Sequence, residues 1–191
     1  MALAPVAASA QYVLTVEQVG ANVVATGSGT IDTTDLSDVN SHNLYGSVFS
    51  YGSAESLIFT GSTMGGGDYN GLTGANVFTT DLGNLFYATA SSGDGVGIAT
   101  PGRYGTILLL PDGYVSGALL SSASTWDDAT IASIGLLDGT YVWTWGSGAD
   151  AGSFTLDVGA QVPEPASVAV FALGLAGLAA MRRRAAGARA D

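Results

Sequence analysis

His42 is the only histidine in a 191-residue chain that has no cysteine. Nucleophilic or zinc chemistry would have to begin there. A Ser-His-Asp triad needs an imidazole beside a nucleophile on a sharp turn. His42 lies in Asn40-Ser41-His42-Asn43, with no nucleophile-elbow pattern nearby. One imidazole and no thiolate also leave too few ligands for zinc. The chain therefore reads as a non-enzyme, without catalytic residues and without a cofactor. Asp32, Asp35 and Asp38 recur every third residue. Carboxylates are what Ca²⁺ requires, but this spacing is neither an EF-hand loop nor a calcium-binding β-helix repeat. Aspartates in turns commonly cap their own backbone, so these three are weak candidates and no metal is expected. Tyr141, Trp143 and Trp145 alternate along one segment. On a strand they share a face, with Val142 and Thr144 on the other. Such rings can stack on sugars or fill a core. Val142 and Thr144 make the less apolar face, so the aromatic face is predicted to be the buried one. Trp126, beside Asp127-Asp128 in an expected loop, is the other candidate carbohydrate contact.

The elements that would carry these residues are short strands. Tyr12–Val16 and Asn22–Thr26 flank Gly20-Ala21 and read as a hairpin. Further runs follow at 44–51, 56–60, 76–80, 85–89, 105–110, 114–121, 129–134, 140–145 and 153–158. Pro111-Asp112-Gly113 and Asp138-Gly139 are turn signals, because Pro presets φ and Gly accepts φ > 0. No 3.6-residue periodicity appears before residue 166. About ten short strands at this spacing predict an all-β fold, a single β-sandwich or jelly-roll-like domain over 11–160. Gly65-Gly66-Gly67-Asp68-Tyr69-Asn70-Gly71 reads as a flexible loop. It lacks the Lys and following helix of a phosphate loop.

Charge narrows the partners. Before residue 160, fourteen acidic residues stand against a single basic one, Arg103. Such a body repels phosphate backbones, which excludes nucleic acid as a partner. The chain has no Lys, and four of its five arginines lie in the last ten residues.

The C-terminus has three zones. Residues 161–165 form a linker in which Pro163 and Pro165 fix φ and restrict their predecessors. Residues 166–181 are uncharged and apolar, and Arg182, Arg183 and Arg184 end the run as a membrane stop. Sixteen helical residues reach roughly 24 Å, against a hydrocarbon core of about 30 Å. Snorkelling arginines and the flank make up most of the difference. This predicts a transmembrane helix over 166–181, a basic cytoplasmic tail over 182–191 and a body on the far side of the membrane.

Val162-Pro163-Glu164-Pro165-Ala166-Ser167, a Gly/Leu/Ala-rich apolar segment and a triple Arg, in that order, resemble a PEP-CTERM sorting domain. The resemblance implies that Pro163, Glu164 and Pro165 are the processing motif of an exosortase, a transpeptidase-like membrane enzyme. It also implies a Gram-negative bacterium that makes exopolysaccharide, and delivery to the cell surface or extracellular matrix after membrane anchoring. The stretch Tyr141–Gly148 is similar to one shared by a small set of PEP-CTERM proteins, which bears on fold alone. At the N-terminus, Ala8-Ser9-Ala10 reads as a signal-peptidase site, making 1–10 the remnant of a signal peptide. Residues 1–7 hold no basic n-region and are too short for an apolar h-region, so the precursor is expected to begin upstream.

Overall fold

The structure is a computed structural model that describes residues 10–51, 55–62, 64–102 and 105–159. The strands are β1 (Ala10–Val19), β2 (Asn22–Thr30), β3 (Ser37–Asn43), β4 (Ser47–Tyr51), β5 (Ser56–Thr60), β6 (Gly65–Asn70) and β7 (Thr73–Gly74). They continue as β8 (Asp81–Tyr87), β9 (Ala90–Gly93), β10 (Val96–Gly102), β11 (Gly105–Pro111), β12 (Leu119–Trp126), β13 (Gly139–Trp145) and β14 (Gly152–Val158). The only helical turn among the described residues is a 3-10 turn at Gly148–Asp150.

The strands form two seven-stranded sheets, one ordered β7-β13-β14-β1-β2-β12-β9 and the other β3-β6-β11-β10-β5-β4-β8. Period-two alternation builds the first. Tyr12, Leu14 and Val16 on β1, Val23 and Ala25 on β2, Trp143 and Trp145 on β13, and Phe154, Leu156 and Val158 on β14 all turn inward. They pack with Val48, Ile58, Val96, Ile98, Leu108 and Leu110 from the second sheet into one core. The body is thus an all-β sandwich. β14 lies between β13, antiparallel, and β1, parallel, with Ala10 opposite Gly152 and Val16 opposite Val158.

The second sheet is buried on both faces at its centre. Leu57, Phe59, Ala99 and Leu109 form a smaller apolar cluster on the face away from the main core. Double burial explains why Leu57-Ile58-Phe59 is apolar without alternation. A hydroxyl chain crosses between the sheets: Tyr12 bonds Ser122 at 2.7 Å within the first sheet, and Ser122 bonds Thr60 of the second at 2.7 Å.

Several expected elements differ. Residues 65–70 form strand β6, where a flexible loop was expected. Gly66 serves packing: a Cβ there would strike the Leu110 carbonyl and the His42 ring. Residues 76–80 are no strand and offer only an isolated bridge from Thr79 to Leu136. Residues 129–134 are turns, held by reciprocal bonds between Thr130 and Ser133. In the run 114–121 only Leu119 onward is strand, because the Tyr114 hydroxyl accepts from the Ile31 N–H at 3.0 Å and donates to the Ala118 carbonyl at 2.8 Å. Trp126 closes β12 and does not sit in a loop.

Among the described residues no helix is long and apolar enough to cross a membrane. The helix expected over 166–181, the linker before it, the arginine tail and residues 1–9 lie outside the described residues.

Candidate functional site

β13 carries its aromatic stripe into the core. Trp143 is fully buried, gives its indole N–H to the Ala75 carbonyl at 2.8 Å, and meets Phe78 and Phe154 edge-on at 5.7 and 6.0 Å. Trp145 is buried over Gly152 and donates to the Asp32 carbonyl at 2.8 Å. Tyr141 is half-buried and donates to the Leu137 carbonyl at 3.0 Å. Burial, and then the nearby Asp138 charge, push its phenol above the ordinary range. Both β13 indoles therefore turn their faces to protein, which leaves no open face for a sugar. Trp126 is only 3% exposed and donates to the Phe86 carbonyl at 3.1 Å.

The three aspartates do not converge. Asp32 Oδ1 accepts from the Thr34 N–H at 2.9 Å, the Thr34 hydroxyl at 2.6 Å and the Ser116 hydroxyl at 3.0 Å. The Thr34 hydroxyl leads the causes that hold its carboxyl below the usual range. Asp32 acts here as the cap of its own turn. Asp35 lies beside Gly146, and Asp38 stands on β3 opposite Tyr69. Among the described residues no group of three or more His, Asp or Glu side chains could hold a metal ion.

The structure does pair His42, and with a residue the sequence did not single out. His42 Nδ1 lies 2.7 Å from Asp68 Oδ1, and the two side chains are 5% and 6% exposed. The His42 ring meets Phe59 edge-on at 5.2 Å, and its buried Nε2 has no hydrogen-bond partner among the described residues. Asp68 was hidden in the glycine run. The available signal was positional: Asp68 and Gly66 share one face of a strand, and the small residue leaves room for an imidazole. The pair joins β3 to β6. It has the base and orienting acid of a triad, but neither imidazole nitrogen meets a hydroxyl among the described residues.

Residues 161–184 match the family model of the PEP-CTERM protein-sorting motif. The chain ends in a PEP-CTERM segment. That motif is recognised by exosortase, a membrane processing enzyme, and implies an exported, membrane-processed protein. Pro163, Glu164, Pro165 and Arg182–Arg184 all fall inside the matched range. No curated protein and no solved structure matches the chain. The PEP-CTERM match begins two residues after Gly159, whose N–H bonds the Val16 carbonyl at 2.9 Å.

Proposed function

We propose that this protein is carried to the cell surface or exopolysaccharide matrix of a Gram-negative bacterium by its PEP-CTERM motif, and that its β-sandwich is a non-enzymatic module of that matrix. A signal peptide ending near Ala10 starts export, and an apolar helix over 166–181, stopped by Arg182–Arg184, holds the chain in the membrane until exosortase acts. The observation that carries this reading is the match at residues 161–184. The order of apolar run and triple Arg supports the anchoring step. The buried state of His42, the only imidazole, supports a body without catalysis.

The test replaces Pro163, Glu164 and Pro165 together with Ala and follows the protein in its native host by mass and fractionation. Two prolines around one Glu fix an extended segment that an enzyme can read, whereas a plain anchor needs only grease and charge. The variant is expected to insert but to stay unprocessed. A variant shortened and released like wild type would refute sorting through this motif.

A further inference from the structure

Beside the free edge of β8 lies a cleft of about 370 Å³. Leu85 and Tyr87 form one lip, and Tyr87 is 60% exposed. Trp126 forms another wall. It is only 3% exposed and its N–H is already given to the Phe86 carbonyl, so the indole underlies the cleft and contributes no free donor. Thr89, Asp127 and Ser133 supply the polar lining. Asp127 is exposed yet held in place: its Oδ2 accepts from the Thr89 hydroxyl at 2.9 Å, and its N–H donates to that same hydroxyl at 3.2 Å. This is the size and make-up of a small-molecule site, apolar walls with a few placed polar groups.

We propose that the cleft binds an amino-sugar unit of a polysaccharide, with the pyranose face on Tyr87 and the ammonium on Asp127. An exposed phenol offers a flat apolar face with a polar tip, which suits the C–H face of a pyranose ring bordered by hydroxyls. An ionised carboxylate only accepts hydrogen bonds, and accepts the strongest from a charged donor. A cation near Tyr87 also gains from the ring quadrupole. The described residues include fourteen acids and neither Lys nor Arg. With Arg103 the single basic residue before residue 160, such a body repels an anionic glycan and draws in a cationic one. A second copy of the chain is the poorer occupant. Strand addition along β8 would meet a register break opposite Ser50 and Tyr51, with Gly83 at φ +65°, on a like-charged body.

The proposal rests on the matrix reading for its polysaccharide partner. It uses nothing from the sorting motif, so loss of processing and loss of binding are read separately. The full-length chain is titrated with three β-1,4-linked tetrasaccharides, of glucosamine, N-acetylglucosamine and glucose. The glucosamine tetramer is expected to bind saturably, about tenfold or more tighter than the other two. Asp127→Asn is expected to remove that preference, and Tyr87→Ala to weaken all three ligands. Asp112→Asn, in a turn outside the cleft, is expected to change nothing. Both cleft side chains are exposed, and circular dichroism verifies the fold of each variant. Absence of saturable binding, equal affinity for the three sugars, or an equal loss from Asp112→Asn overturns the proposal, the last by revealing diffuse attraction to an acidic body.

Discussion

Trp143 fills the centre of the aromatic stripe, with its N–H satisfied by Ala75 and its ring against Phe78 and Phe154. Truncation there removes a large apolar surface, opens a cavity and leaves the Ala75 carbonyl with the weaker bond from the Thr100 hydroxyl. Trp143→Ala is expected to cost about 3–5 kcal/mol, read from urea unfolding. A cost below about 1 kcal/mol would contradict the core role. Tyr12 gives a pH signature. Burial raises its phenol well above the ordinary value, outweighing the Ser122 hydrogen bond that lowers it. The unfolded phenol ionises near pH 10. The folded state binds that proton more tightly, so this stability is complete below about pH 10 and is lost as pH rises toward the higher folded value. The urea midpoint is expected to fall between about pH 9 and pH 11, and less steeply in Tyr12→Phe. Parallel pH profiles for the two proteins would count against the assignment.

Strand β14 is the element on which the body depends. It separates β1 from β13 and buries Phe154, Leu156 and Val158. A chain ending before Gly152 is expected to lose the cooperative thermal transition, because β1 and β13 would face each other across a missing strand. A chain ending after Ala160 is expected to keep it. Loss of folding in both would mean that the C-terminal segment is part of the folded unit. Legibility also divides by element. β1, β2, β5, β11, β13 and β14 could be read because they bury alternating or continuous apolar side chains. β3, as Ser-Asp-Val-Asn-Ser-His-Asn, exposes nearly everything it carries, and β6 begins with three glycines. Their pairing rests on backbone bonds and on His42 against Asp68, which leave no hydrophobic pattern. Trp126 illustrates the same limit, since aspartates follow it in sequence while its indole turns inward.

For the whole molecule, charge sets the behaviour. Fourteen carboxylates against one arginine before residue 160 repel one another across a small surface. Raising salt from about 0.01 to 0.5 M shortens the screening length from about 30 Å to below 8 Å. The melting temperature is therefore expected to rise with sodium chloride, by scanning calorimetry, where a body held by ion pairs would lose stability. An unchanged or falling value would show that the carboxylates are already neutralised by partners.

Sequence alone carried the sorting motif, the all-β class and the burial of the aromatic stripe. Each is written in contiguous residues: the Pro-Glu-Pro motif with its apolar run and arginines, the short runs between turns, and the alternation of Tyr141, Trp143 and Trp145. Only the tertiary structure decided which residues meet. Asp68 reached His42 because β3 pairs with β6, and Leu85, Tyr87, Trp126 and Asp127 came to one cleft because β8 and β12 lie in different sheets. Such contacts depend on strand order and register, which backbone hydrogen bonds and inter-sheet packing fix between segments far apart in the chain. A local pattern reports which face a side chain takes, and the partner across that face is set by the fold.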